Sequence, residues 1–139
     1  MPENIYEKIR AFLNEFDRFA KDNHMRITEI REGYAEAVLE ADPDRHRNGL
    51  GVLQGGVLYT LADLAFAGAI NSYGIKAIGM NSTIHYMRPG LGTSFHATAK
   101  VLHRGKRTGV FSVEVFDSGN RLLAHATLTG AFLDKPFFE

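Results

Sequence analysis

One run of the chain has residue types and spacing that could do chemistry: Asn48-x-x-Gly51-x-x-Gln54-Gly55-Gly56, followed by Asp63. Asp63 stands among Leu61, Ala62, Leu64 and Ala65. It falls about two turns into a helix that begins near Gly55, too far in to cap that helix. A carboxylate on so apolar a stretch is costly to desolvate unless something compensates it. Such a setting raises a carboxyl pKa and often marks a reactive group. Two readings of Asp63 stand side by side. It is a working acid or base, or it is an aspartate satisfied by a local hydroxyl such as Thr60 or turned to a subunit interface. Gly55 and Gly56 also have two readings. At a helix start their backbone N–H groups point outward along the positive end of the dipole, where a thioester carbonyl would find an oxyanion donor. Equally, two glycines permit a tight turn and close packing.

These residues need elements to hold them. Ahead of the run, Ile5, Ile9, Phe12, Leu13, Phe16 and Phe19 recur at helical steps, predicting a helix over about residues 3–20, and Asn4 with Glu7 resembles a capping box. Residues 25–41 alternate, with Ala35, Ala37, Leu39 and Ala41 on one side, which predicts a strand with Gly33 as a turn or bulge within it. The segment of about residues 55–73 is apolar around nearly its whole circumference, the mark of a helix buried on most sides. Four strand-like segments follow at about 77–87, 93–103, 108–117 and 121–134, separated by turn signals at Arg88-Pro89-Gly90, Arg104-Gly105-Lys106-Arg107 and Asp117-Ser118-Gly119-Asn120. Short turns make the last three a meander. The expected architecture is a single α+β domain over residues 1–139, with five antiparallel strands wrapped around one long helix and an additional N-terminal helix. This is the hotdog fold.

Composition narrows the function. The 139 residues include 16 basic and 16 acidic side chains, so no broad positive field exists for nucleic acid. Cysteine is absent, which removes disulfides, thiolate nucleophiles and zinc–thiolate sites. The six histidines (24, 46, 85, 96, 103 and 125) show no pair at metal-ligand spacing on a helix, so neither metal nor other cofactor is expected. The longest apolar stretch is too short for a bilayer and the first residues do not read as a secretory signal, so the expected location is the cytoplasm. The glycine pattern around Gly49, Gly51 and Gly55 misses the dinucleotide fingerprint by one residue, and no Gly-x-Ser-x-Gly elbow is present.

Asn48, Gly51, Gly55, Gly56 and Asp63 resemble the pattern of the phenylacetate-type (PaaI-like) hotdog thioesterases, in which an asparagine, a His-Gly-Gly and an aspartate follow in this order. Leu61-Ala62-Asp63, Tyr86-Met87-Arg88-Pro89 and Arg104-Gly105-Lys106 fit as well, so the resemblance spans about residues 34–134. One position departs: the family's usual histidine is Gln54, which can hydrogen-bond but cannot be protonated near neutral pH.

The resemblance implies acyl-CoA as substrate, a small aryl or medium-chain acyl group, and these roles. Gly55 N–H polarises the thioester carbonyl. Asp63, from the opposing subunit, serves as general base or nucleophile. Asn48 orients water or the carboxylate, Gln54 braces the loop, and Thr83 holds the attacking water. Gly56 lies against the substrate, and Arg88, Arg104, Lys106 and Arg107 face the coenzyme A phosphates. A homodimer or homotetramer with sites at the subunit interface is implied too. The departure at Gln54 leaves a second reading, a non-catalytic acyl-CoA binding or sensing protein. Tyr59, Phe66, Met80, His85 and Tyr86 are candidates for the acyl pocket, and Phe137 and Phe138 pack on a partner or back on their own domain.

Overall fold

The computed structural model describes residues 3–138. In chain order the elements are α1 (Glu3–Phe16), α2 (Arg18–Asp22), β1 (Met25–Arg31), β2 (Tyr34–Glu40), α3 (Pro43–His46), α4 (Gly55–Asn71), β3 (Ile75–Tyr86), β4 (Ser94–Arg104), β5 (Thr108–Asp117) and β6 (Leu122–Pro136). The strands form one antiparallel sheet in the order β1-β2-β4-β5-β6-β3, curled around α4. This is the expected α+β hotdog fold, with β4, β5 and β6 as a meander.

The sheet has six strands, not five. The alternating stretch at 25–41 is a hairpin: Gly33 sits at φ +70°, a backbone conformation that L side chains rarely adopt, and splits it into β1 and β2. Gly33 N–H donates to Ser72 Oγ at 2.8 Å, which ties this turn to the C-terminal end of α4. The expected N-terminal helix is likewise two. Asp17 accepts a hydrogen bond from Ala20 N–H at 3.1 Å and starts a second helix, because a side-chain cap offers the backbone an alternative to continuing α1. No capping box forms at Asn4, which lies inside α1, and Glu7 pairs with Arg10 instead.

Helix α4 buries Leu58, Leu61, Ala62, Leu64, Ala65, Phe66, Ala69 and Ile70. The sheet surface that receives it is largely alanine. Ala35 and Ala37 of β2, Ala97 and Ala99 of β4, and Ala124 and Ala126 of β6 are all fully buried. Their small side chains let the helix lie close, while Phe111 of β5 meets Phe66 edge-on at 5.5 Å between ring centres.

The two edges of the sheet differ. On β1, the Asn14 side chain takes both main-chain groups of Ile27, donating to its carbonyl at 2.9 Å and accepting from its N–H at 2.7 Å. That bond pair fixes α1 to its own domain. Phe137 packs edge-on to Phe12 of α1 at 5.3 Å, beside the start of β3, where its N–H donates to the Gly74 carbonyl at 2.8 Å. At this other edge no strand pairs with the outer side of β3 among the described residues, and Ile78 and Met80 on it are 57% and 62% exposed.

Gly130 of β6 sits where α4 presses hardest. A Cβ there would meet the Ile70 Cδ1 atom, the Ile78 carbonyl at 2.9 Å and Phe66 Cζ at 2.9 Å. Gly130→Ala is expected to cost about 1–3 kcal/mol through overpacking, read as a lower midpoint in urea unfolding.

Candidate functional site

The loop before α4 is built on Asn48. Its Oδ1 accepts from Leu50 N–H at 2.9 Å and from Val52 N–H at 3.3 Å, while its own N–H donates to the Val52 carbonyl at 2.8 Å. The acceptor end of the side chain is thus committed to the loop, and its amide NH2 remains as donor.

Gln54 is the N-cap of α4. Its side-chain oxygen accepts from Gly56 N–H, and its carbonyl accepts from Val57 N–H at 2.9 Å and Leu58 N–H at 3.2 Å. A helix start leaves four N–H groups without intrahelical partners. Here they are the N–H groups of Gln54, Gly55, Gly56 and Val57: Gln54 accepts from Gly56 and Val57, and its own N–H donates to the His46 carbonyl at 2.9 Å, which accounts for three. The fourth, Gly55 N–H, has no protein acceptor among the described residues. Two glycine positions serve this arrangement. A Cβ on Gly56 would lie 2.7 Å from the Gln54 Oε1 and push the capping amide aside; one on Gly55 would press to 3.3 Å of the Tyr86 ring. Tyr86 holds the same peptide unit from the other side, its hydroxyl donating to the Gly55 carbonyl at 3.0 Å. Asn48, Gly55, Leu58, Tyr86 and Arg88 line one cavity of about 320 Å3.

Asp63 lies elsewhere. It is exposed on the isolated chain, yet it stands in a separate recess of about 340 Å3 with Tyr59, Gly79, Met80, Asn81 and Ser82. The surrounding protein raises its pKa above the ordinary 3.8, and the negative charge of Asp17 adds to the rise. Thr60 does not satisfy it; that hydroxyl donates to the Gly56 carbonyl at 2.8 Å. Among the described residues no protein group bonds to the Asp63 carboxylate. Eight residues of helix separate it from Gly55, about 12 Å along the axis. Within one chain the two do not meet.

The remaining candidates divide among four places. Arg88 joins the Gly55 cavity and donates to the Leu122 carbonyl at 3.1 Å. Lys106 and Arg107 line a third cavity of about 550 Å3 with Met80, Phe132 and Asp134. Arg104 is turned away, its guanidinium 4.1 Å over the Tyr73 ring. Thr83 is exposed on β3 and is not part of the Asp63 recess. Its neighbour Ser82 is, with its hydroxyl 2.6 Å from that of Tyr59. Sequence reasoning missed this pair; the signal was the alternation of β3, which turns Ser82 and Thr83 to opposite faces. Among the described residues no group of three or more His, Asp or Glu could hold a metal, and no helix is long and apolar enough to cross a membrane.

His46, one of the six histidines without metal-ligand spacing in the sequence, is the buried peg of this region. It is 1% exposed. Its Nδ1 accepts from Asp42 N–H at 2.9 Å, which places the proton of the neutral ring on Nε2, 3.1 Å from the Asn23 Oδ1. Burial lowers its pKa from the ordinary 6.5, and nearby His24 and Arg45 lower it further against the opposing charge of Asp42.

Comparison with known proteins places the chain in context. Residues 50–124 match the family model described as Thioesterase superfamily. The chain is 38% identical over 111 residues to the Escherichia coli acyl-coenzyme A thioesterase PaaI, covering 79% of each. It is 35% identical over 134 residues to a putative esterase of Archaeoglobus fulgidus, covering 96% of this chain and 86% of that one. It superposes on the structure of E. coli PaaI with a TM-score of 0.89 at 31% identity, covering 94% of this chain and 95% of the other.

The depressed His46 pKa sets a pH dependence. The unfolded chain takes up the proton more readily than the folded one. The stability this residue contributes is therefore complete above about pH 6.5 and is lost as the pH falls from there toward the lowered folded value. Asp63, raised in the fold, works with the opposite sign. Calorimetry of the parent and of His46→Gln at matched pH is expected to show a Tm that falls with acidification in the parent and falls less in the variant.

Proposed function

The chain belongs to the thioesterase superfamily, as a hotdog-fold relative of the PaaI-type acyl-CoA thioesterases, and from that premise we propose that it hydrolyses a small aryl- or medium-chain acyl-CoA to the free acid and CoA. Thioester hydrolysis itself follows from the membership. The observation that carries the residue assignment is the single uncommitted N–H at the start of α4.

In this reading the thioester carbonyl oxygen points at Gly55 N–H, in line with the helix dipole. Asp63 of a second copy faces the carbonyl carbon. As general base it takes a proton from water, the hydroxide adds to the carbon, and the C–S bond breaks. The proton then passes to the departing CoA sulfur. As nucleophile, a carboxylate oxygen adds instead, CoA leaves, and water hydrolyses the resulting anhydride. A raised pKa and a lack of bonding partners suit either role. The Asn48 amide donates to the water or the carboxylate, and Gln54 keeps the loop in shape. Gly56 gives the substrate close approach, and Thr83 remains a candidate for steadying the water. Lys106 and Arg107 offer cationic heads to the CoA phosphates, and Arg88 does so with the donors that its bond to the Leu122 carbonyl leaves over; Arg104 joins them only by leaving the Tyr73 face.

Assembly belongs to the same proposal. Asp63 and Gly55 open into different cavities of one chain, and the outer side of β3 has no paired strand among the described residues. Pairing two copies across β3 closes that edge and supplies each Gly55 with a second chain's Asp63, as a dimer or a pair of dimers. A cytoplasmic setting is also proposed; a chain without cysteine suits a reducing compartment.

Asp63→Asn is expected to reduce kcat by at least ~10²-fold while the circular dichroism spectrum and Tm stay close to the parent. Steady-state release of CoA from a panel of acyl-CoAs reads this, and full activity in the variant would overturn the assignment. Multi-angle light scattering should return a dimer or tetramer mass; a monomer at assay concentration contradicts the shared site.

A further inference from the structure

We infer that the acyl group is selected by the groove between α2 and the first turns of α4, with Phe19 as the specificity-determining side chain. This deepens the acyl-CoA hydrolase reading and rests on it.

The groove encloses about 400 Å3 and is walled by Phe19, Met25, Val57, Tyr59, Thr60 and Gly56. At one end it borders the cap of α4, where Gln54 and Gly56 leave Gly55 N–H free. At the other end Tyr59 is shared with the Asp63 recess of the same chain, which in the shared-site reading serves the second copy's Gly55. An acyl group whose thioester carbonyl lies at Gly55 N–H enters the groove past Gly56, so the occupant is the part of the substrate next to the thioester. Its walls are chiefly ring and methyl surface, which excludes the pantetheine and phosphate portions of the substrate and fits a hydrocarbon or aryl group. The volume stands near the lower end of the roughly 300–1,000 Å3 of small-molecule sites, which favours short and ring-bearing acyl groups over long fatty chains.

Phe19 is the wall that the chain adds. It is 65% exposed, an unusual placement for a phenylalanine on a helix whose neighbour Ala20 is buried. It is held there by Asp17, which starts α2 and turns the chain back toward α4. Helix α2 also lies outside residues 50–124, the part shared with the superfamily as a whole. A selectivity element on α2 can vary without disturbing the cap or the carboxylate. Filling the groove with an acyl group covers the exposed Phe19 ring.

The test compares kcat/KM for hexanoyl-CoA and phenylacetyl-CoA with that for acetyl-CoA, in the full-length parent, Phe19→Ala, Phe19→Lys and Phe12→Ala. Phe12 is exposed on α1 and does not line the groove. The hexanoyl/acetyl and phenylacetyl/acetyl ratios are expected to fall about tenfold in Phe19→Ala, as for a lost apolar contact, and further in Phe19→Lys, with no change in Phe12→Ala. The high exposure of position 19 keeps both variants folded, which thermal unfolding checks. Ratios unchanged by both Phe19 variants in an active enzyme overturn this inference alone. A parent that releases CoA from no acyl-CoA overturns the hydrolase reading and the inference together.

Discussion

Helix α4 is apolar on nearly every side, and water has to be kept from it along most of its length. The sheet does this by curling round it, with alanines on β2, β4 and β6 that let the backbones approach closely and with Phe111 set edge-on to Phe66. Everything else is arranged around that enclosure. The Gly33 turn is anchored to the helix end through Ser72, and Gly130 gives Ile70 and Phe66 their room. Two places on the helix escape the sheet: its first turn, where backbone donors are exposed, and the flank bearing Asp63. Both candidate reactive groups occur where enclosure is incomplete, and this is why a carboxylate is tolerated on such a helix.

Separation of those two places gives the isolated chain its unfinished character. The Gly55 N–H faces a cavity with Asn48 and Arg88, and the Asp63 carboxylate faces another with Tyr59 and Ser82. One sheet edge is sealed by Asn14 and the other is not. One edge is thus protected by a dedicated side chain while the other carries exposed Ile78 and Met80, and it is this asymmetry that the proposed pairing across β3 rests on.

Much of this was legible in the sequence, for identifiable reasons. The all-apolar helix, the alanine alternation of residues 35–41 and the three late turns report burial and periodicity directly, so the α+β wrap could be read off. The strand count could not, because a glycine within an alternating run is compatible with either a bulge or a turn, and only its contact with Ser72 decides. The break at Asp17 was hidden because the apolar stripe continues across it from Phe16 to Phe19. At the site, the spacing from Asn48 to Asp63 was plain. Alternation along a strand separates Ser82 from Thr83 but does not say which of them looks toward Asp63, so the place of Ser82 in that recess was not legible. His46 was underrated because its partners, Asp42 and Asn23, come together only in the fold.

The Gln54 cap has a consequence for how this sequence can change. The side chain at position 54 reaches the Gly56 N–H along a line that a β-carbon at position 56 would crowd, 2.7 Å from the Gln54 Oε1. The two positions are therefore coupled. A side chain gained at position 56 has to be met by a shift of the Gln54 amide, and what that shift takes from the cap it takes from the same turn that presents Gly55 N–H. Change in this loop is felt at the helix start before it is felt anywhere else.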